Sequence, residues 1–143
     1  MEKISQSQEE TKEIAAEFAH TLRGGEVVFL RGDLGSGKTT FVQGLAKALG
    51  YDEPVRSPTF ALVNVYPLAH ETISRIVHVD LYRLDHVSEL GPLALEEYQD
   101  DQTVLLVEWP EILKNTRIIP TTSIHFQTDQ TGKKIRLEHV QTV

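Results

Sequence analysis

The feature that most constrains this chain is the segment at residues 32–39, which reads GDLGSGKT. It matches the pattern G-x-x-x-x-G-K-[ST], in which glycines let backbone N–H groups turn inward around phosphate oxygens. An apolar run at 27–30 precedes the segment, and a helical pattern at about 38–49 follows it and ends at Gly50. This strand–loop–helix setting predicts a phosphate-binding loop, because the helix would direct its positive dipole end toward a bound anion.

Four side chains near this loop have predicted chemical roles. Lys38 is predicted to reach the β- and γ-phosphates of a nucleotide, and the Thr39 hydroxyl to ligate Mg²⁺. Asp80 and Glu108 each follow an apolar run, IVHV at 76–79 and VLLV at 104–107. Since the carboxyl ends of parallel strands share one edge of a sheet, both acids are predicted to face the metal. The alternative for each acid is a turn residue or a helix cap.

Composition and charge exclude several classes of function. The chain has 143 residues, of which 14 are Lys or Arg and 21 are Asp or Glu, and the net charge of −7 argues against a dedicated nucleic-acid binder. It has no cysteine, which excludes disulfides and zinc ribbons, and its six histidines show no HExxH spacing. The polar N-terminus and the lack of a run of about 18 apolar residues predict a cytoplasmic protein without a membrane segment.

The nucleotide is predicted to be ATP rather than GTP. Guanine specificity usually requires an Asn-Lys-x-Asp element, and here Lys114 precedes Asn115 in the wrong order. After Glu108 the chain offers only Arg117 and Arg136, too few for the arginine-rich lid with which small-molecule kinases clamp an acceptor. Hydrolysis therefore fits the sequence better than phosphoryl transfer, and a P-loop small-molecule kinase is the alternative.

The order of predicted elements gives the fold class. Periodicity predicts helices at 7–23 and about 38–49, a short helical region at 86–98, and strands at 27–30, 59–66, 75–80 and 104–107. Alternation on either side of 129–132 predicts a closing hairpin of 121–128 with 133–140. We therefore predict one α/β domain, residues 1–143. Its expected form is a P-loop NTPase-like three-layer sandwich with a parallel central sheet and antiparallel edge strands.

Four segments resemble the successive signatures of one known family, TsaE (also called YjeE). They are GDLGSGKTT at 32–40, SPTF at 57–60, DLYRL at 80–84 and VEWP at 107–110. The resemblance extends from about Thr11 to Leu137 and implies a Mg²⁺-dependent ATPase that acts with the proteins TsaB and TsaD. That machinery attaches threonylcarbamoyl to adenosine 37 of tRNAs that read A-starting codons. TsaE is not itself the transferase, so the resemblance implies that tRNA is met only indirectly, through the complex.

The resemblance also implies roles for single residues. The phosphates are assigned to Gly35, Ser36, Gly37, Lys38, Thr39 and Thr40, and the metal to Thr39, Asp80 and Glu108, with Gly32 and Leu34 as further nucleotide-binding residues of the same loop. Further nucleotide contacts are assigned to Thr11, Ser57, Thr59, Trp109, Lys133 and Arg136. Catalysis is assigned to Lys38, Asp80 and Glu108.

Two of these assignments have equally simple structural alternatives. Ser57 and Thr59 resemble the family's first switch, on an extended loop because Pro58 excludes helical geometry at the preceding residue. An ST-turn that leads into a strand fits the same residues. Trp109 resembles a residue near the nucleotide, and a core aromatic at a strand end is its alternative.

The base-binding end departs most from the family pattern. Thr11 resembles the hydroxyl residue at which the family's first helix approaches adenine. Near the C-terminus the family has an arginine after a turn, whereas here Lys133 and Lys134 occupy that region and Arg136 lies slightly beyond. A third functional hypothesis is a binding module in which ATP occupancy regulates complex assembly and hydrolysis is incidental.

Overall fold

The computed structural model describes residues 1–58 and 62–140. The strands are β1 (Glu2–Ser5), β2 (Val27–Arg31), β3 (Val63–Pro67), β4 (Arg75–Asp80), β5 (Thr103–Glu108), β6 (Thr122–Asp129) and β7 (Gly132–His139). Within the described residues they form one sheet in the order β1-β7-β6-β2-β5-β4-β3. The neighbours β6, β2, β5 and β4 run parallel, whereas β3, β7 and β1 pair antiparallel. The predicted mixed sheet, parallel at its centre and antiparallel at its edges, is confirmed.

The two faces of the sheet are covered by different elements. Val28 and Leu30 of β2 pack in the core that includes helices α1 (Gln8–Ala19) and α2 (Lys38–Ala48). Val27 and Phe29, which alternate with them, pack on the opposite face against residues of short 3₁₀ turns. Those turns are Gly91–Leu93, Leu95–Tyr98 and Pro110–Leu113, and a further 3₁₀ turn, Val87–Glu89, has no buried residue. The central strands are continuous apolar runs because both of their faces are buried.

Several element boundaries differ from the sequence prediction. The helix predicted at 7–23 ends at Ala19, because the chain tightens into turns in which Thr21 N–H donates to the Phe18 carbonyl and Leu22 N–H to the Ala19 carbonyl. The helical region predicted at 86–98 is three short 3₁₀ turns, separated at Leu90 and Ala94, and Gly91-Pro92 begins the second turn. The strand predicted from 59 begins at Val63, and 59–61 lie outside the described residues.

Strand β1 was not predicted at all. Its four residues pair with β7 at the edge of the sheet, and Ile4 there is 49 % exposed. A four-residue edge strand carries too little alternation to be recognised in sequence. The Ser7 hydroxyl caps the helix that follows by accepting from Glu10 N–H, and the Glu10 carboxylate accepts from Gln6 N–H, one residue before the N-cap N–H that a capping box would use.

Helices α1 and α2 approach each other closely at Gly44, in the middle of α2. A Cβ built at Gly44 would lie 2.6 Å from the Cα of Lys12 and 2.8 Å from its carbonyl oxygen. Both of those atoms belong to the α1 backbone, so a side chain at position 44 would force the helices apart. Glycine at this site therefore serves the packing of the layer that supports the phosphate loop.

We expect Gly44→Ala to lower the free energy of unfolding by about 1–2 kcal/mol. Overpacking costs roughly 1–3 kcal/mol, and the better helix propensity of alanine returns about 1 kcal/mol of that at most. Urea unfolding followed by circular dichroism measures the change. The matched control is Gly91→Ala, because a Cβ there meets nothing within 4 Å. Equal stability of the two variants would contradict this account of the helix contact.

The fold brings the carboxyl ends of the parallel strands β2, β4 and β5 to one edge of the sheet. On the face that α1 and α2 cover, β4 presents Ile76, His78 and Asp80 in turn, and β5 ends with Glu108. The loop that follows β2 leads directly into α2 at the same edge. In the described part of the chain, each helix is too short and too polar to cross a bilayer.

Candidate nucleotide-binding site

The predicted phosphate loop is the turn between β2 and α2. Gly37 is the N-cap of α2 with φ 104°, a left-handed conformation that glycine adopts without a Cβ penalty. Because glycine has no capping side chain, the first N–H groups of this 11-residue helix remain open to an anion. Ser36 N–H donates to the Asp33 carbonyl at 3.1 Å, which closes the turn. The turn therefore leaves the N-terminus of α2 without a side-chain cap.

A cleft of about 480 Å³ lies over this helix N-terminus. Its lining gathers residues that the sequence analysis selected from separate segments: Leu34, Gly35, Gly37, Lys38, Thr39, Thr40, Ser57, Asp80, Glu108, Trp109 and Lys133. Gln8, in the first turn of α1, also lines the cleft and was not selected. The agreement between the motif positions and one concave surface identifies the candidate site.

Lys38 is held inside the cleft rather than in solvent. Its side chain is almost fully buried, at 5 % exposed, and Nζ donates to the Gly32 carbonyl at 2.6 Å. Nζ also lies 3.8 Å from the centre of the Trp109 ring, a cation–π contact. Burial lowers the pKa of the Lys38 ammonium, while the carboxylates of Glu108 and Asp80 act in the opposite direction. The cation is therefore positioned between the loop and the two acids.

Asp80 and Glu108 lie side by side at the carboxyl ends of β4 and β5. They are register partners in the parallel ladder, and both side chains are buried, at 8 % and 3 % exposed. Asp80 accepts from the Ser57 hydroxyl at 3.1 Å through Oδ2 and from Tyr82 N–H at 2.9 Å through Oδ1. Ser57 is thereby tied to the acidic edge of the site.

Two buried residues that the sequence analysis missed, His78 and Tyr66, hold the Glu108 carboxylate from outside the cleft. Glu108 Oε2 lies 2.6 Å from His78 Nε2, and His78 Nδ1 lies 2.9 Å from the Tyr66 hydroxyl. His78 is completely buried and Tyr66 is 4 % exposed. The spacing of His78 and Asp80 at i and i+2 on β4 was the available signal, since such residues share a face.

Trp109 covers the acidic edge through an unusual backbone conformation. It follows Glu108 directly and has φ 56° and ψ 57°, in the left-handed region that non-glycine residues seldom occupy. This turn brings the indole to the Lys38 ammonium and packs it against the Tyr82 ring, with ring centres 4.9 Å apart and ring planes inclined by 49°. Of the two interpretations of Trp109, the structure favours the one that places it at the cleft.

A smaller cavity of about 200 Å³ adjoins the cleft, because Gln8, Thr40 and Lys133 line both. Thr11 lines it too, and its hydroxyl is 2.7 Å from the Ser5 hydroxyl. Lys133 donates to the Gly35 carbonyl at 2.9 Å and so bridges the C-terminal hairpin to the phosphate loop. The two cavities together form a continuous depression that begins at the acids and ends beside α1.

Of the other residues selected from the sequence, those that the structure describes do not line the cleft. Arg136 lines a separate cleft of about 490 Å³ that also includes Gly32, on the side of β7 opposite to Lys133. Ser36 is 3 % exposed, and its hydroxyl lacks a hydrogen-bond partner within the described residues. Thr59 lies outside the described residues. The structure therefore brings Lys133 to the site and does not bring Arg136 there.

Comparison with known proteins gives the family. The family model described as Threonylcarbamoyl adenosine biosynthesis protein TsaE matches residues 5–137 of this chain. The chain belongs to the TsaE family. This confirms the resemblance seen in the four motifs, and it places the chain in the biosynthesis of threonylcarbamoyladenosine in tRNA.

Individual TsaE relatives and one solved structure agree with this placement. The tRNA threonylcarbamoyladenosine biosynthesis protein TsaE of Aquifex aeolicus is 41 % identical over 141 residues, which cover 95 % of this chain and 94 % of that protein. The protein of the same name from Rickettsia bellii is 38 % identical over 133 residues, with 92 % and 90 % covered. The crystal structure of Bacillus subtilis YdiB matches with a TM-score of 0.78 at 30 % identity, covering 99 % of this chain and 86 % of that one.

Proposed function

We propose that this TsaE-family chain is a Mg²⁺-dependent ATP-binding and ATP-hydrolysing subunit. On this proposal it acts with TsaB and TsaD, in the cytoplasm, to form the threonylcarbamoyl group on adenosine 37, and meets tRNA only through that complex. The chain is then one nucleotide-binding domain, residues 1–143, with the layering of a P-loop NTPase. The observation that carries the proposal is the convergence of Lys38, Asp80 and Glu108 on the open N-terminus of α2.

The donor set at the cleft fits Mg²⁺. Asp80 and Glu108 offer two buried carboxylates at adjacent register positions, and the Thr39 hydroxyl lines the same cleft. Among the described residues, no three His, Asp or Glu gather into a metal cage. The two carboxylates and the hydroxyl suit Mg²⁺, an ion that is usually held by one or two carboxylates together with phosphate oxygens and water. When bound, Mg²⁺ would neutralise charge on the β- and γ-phosphates.

The chain's own residues supply binding and orientation. The α2 N-terminus and the Lys38 ammonium would bind phosphate oxygens, and the backbone of 35–37 would surround them. Glu108 and Asp80 would orient the metal and the attacking water, and the Ser57 hydroxyl donates to Asp80. Trp109 and Tyr82 would shield this end of the cleft from solvent. The adjoining 200 Å³ cavity, lined by Thr11 and Lys133, is proposed to take the base end of the nucleotide.

The proposal also covers the finer residue assignments. Gly35, Ser36, Gly37, Thr39 and Thr40 are proposed as phosphate-loop residues, with Gly32 as the acceptor that holds Lys38. Arg136 is left out of the proposed site because it lines the other cleft. We favour hydrolysis over the kinase alternative because the site's cations, Lys38 and Lys133, both contact the phosphate loop itself.

The deciding experiment follows ATP loss by the purified chain with and without TsaB and TsaD, in Mg²⁺ and in EDTA. We expect Mg²⁺-dependent turnover that rises on the order of 10²-fold with the partners, as ordering a misaligned site would give. Phosphate that appears on an added metabolite would support the kinase instead. Complex assembly that needs ATP but survives loss of turnover would support the binding module.

A further inference from the structure

The pair behind Glu108, His78 and Tyr66, is not needed to fill the core. Every other residue that β4 and β5 place on this face before the acids is aliphatic: Ile76, Val104 and Leu106. His78 stands in register with Leu106 and is 0 % exposed. Burying an imidazole costs free energy unless both nitrogens are hydrogen-bonded, and here both are. An aliphatic residue would pack there without that requirement.

The ring contacts fix the orientation of the Glu108 carboxylate. On the proposed function Glu108 binds the metal as a carboxylate, which only accepts hydrogen bonds, so the ring hydrogen of His78 is assigned to Nε2, facing Oε2. This leaves Oε1 as the Glu108 oxygen that is not used by His78. Burial raises the pKa of the Tyr66 hydroxyl, which keeps it protonated beside Nδ1. The ring is thus held at both nitrogens, and it in turn holds one oxygen of the Glu108 carboxylate.

The same contacts extend to the segment that carries Ser57. The one Tyr66 hydroxyl hydrogen is shared between two acceptors, His78 Nδ1 at 2.9 Å and the carbonyl oxygen of Arg56 at 3.2 Å, and Arg56 precedes Ser57. Ser57 in turn donates to Asp80 at 3.1 Å. Glu108, His78, Tyr66, the backbone at 56–57 and Asp80 therefore form a connected path that begins at one acid and returns to the other.

We propose that His78 is a positioning residue of the site: held by Tyr66, it fixes the Glu108 carboxylate and couples it to the 56–57 segment beside Asp80. This inference rests on the proposed function, since it assigns His78 to the metal-binding acid of that site. Groups of this kind orient a metal ligand without touching the metal, and their loss typically weakens metal affinity or activity by 10–100-fold. Neither His78 nor Tyr66 itself lines the cleft.

The test uses Tyr66→Phe and His78→Gln. The first keeps the ring and removes the hydroxyl, and the second retains an N–H donor for Glu108 but loses the link to Tyr66. We expect each to raise the Mg²⁺ concentration for half-maximal turnover by about tenfold, with ATP affinity in EDTA unchanged. The control is Tyr51→Phe, which removes a hydroxyl from the neighbouring ring, 4.9 Å from Tyr66, and should leave the Mg²⁺ dependence at the wild-type value.

A second readout is independent of turnover. ¹⁵N NMR of the histidine rings should show His78 protonated at Nε2, with a strongly deshielded proton that moves upfield in Glu108→Gln and an Nδ1 resonance that shifts in Tyr66→Phe. Wild-type Mg²⁺ dependence in Tyr66→Phe, together with an unshifted Nδ1 resonance, would overturn this inference and leave the proposed function standing. Wild-type protein whose ATP turnover is indifferent to Mg²⁺ would overturn both.

Discussion

Lys38→Ala should weaken Mg²⁺–ATP binding by roughly 100-fold and abolish turnover. The ammonium would supply charge-assisted hydrogen bonds to phosphate oxygens worth about 1.5–3 kcal/mol, and each 1.4 kcal/mol is tenfold in affinity. The fold should survive, with unfolding free energy changed by less than about 1 kcal/mol, because Nζ contacts the Gly32 carbonyl and the Trp109 ring rather than the core. Isothermal titration calorimetry measures the affinity.

The residues around Lys38 decide how nucleotide binding to Lys38→Ala is measured and which variant serves as its control. Trp109 is the chain's only tryptophan and touches Lys38, so the substitution alters the fluorescence itself and calorimetry is preferred. Lys47→Ala removes an exposed lysine from the last turn of the same helix and should bind nucleotide like the wild type. Retained affinity and turnover in Lys38→Ala would remove the basis for the phosphate-loop assignment.

Glu108→Gln should bind ATP normally and turn it over about 100-fold more slowly or worse. The substitution keeps the shape of a side chain that is 3 % exposed and can still pair with His78, but it removes the charge proposed to hold the metal and its water. We therefore expect bound nucleotide to be recovered as ATP rather than ADP after incubation with TsaB and TsaD. Rapid filtration followed by chromatography separates the two.

The matched control for that variant is Glu111→Gln. Glu111 lies three residues later, is exposed, and pairs with Arg31 at 3.6 Å near the same strand end. Since surface ion pairs contribute little, turnover should match the wild type. Normal turnover in Glu108→Gln would transfer the main catalytic role to Asp80, its register partner.

Much of the fold was predictable because its signals are local. The parallel centre follows from apolar runs such as 104–107 alternating with helices, and the hairpin from alternation around 129–132. β1 was missed because its pairing with β7 joins residues at opposite ends of the chain, such as Glu2 and Arg136. The end of α1 was placed too late because Leu22 is buried in the turn that follows the helix.

At the site, sequence patterns located what lies in contiguous motifs and missed what depends on tertiary contacts. Lys38 and Glu108 lie in motifs that lead directly from strand to loop, and the structure places both at the cleft. His78 was missed because its partners lie 12 and 30 residues away. Arg136 was grouped with Lys133 by proximity in sequence, whereas three steps along a strand put two side chains on opposite faces.

The most direct test of the central claim is a crystal structure of the chain with Mg²⁺ and a non-hydrolysable ATP analogue. We predict that the β- and γ-phosphates will lie on the backbone of 35–37 at the α2 N-terminus, and that Lys38 Nζ will move from the Gly32 carbonyl to a phosphate oxygen. The metal should lie between Thr39 and the carboxylates of Asp80 and Glu108. Nucleotide bound elsewhere, with Lys38 still on Gly32 and the phosphate loop empty, would contradict the account.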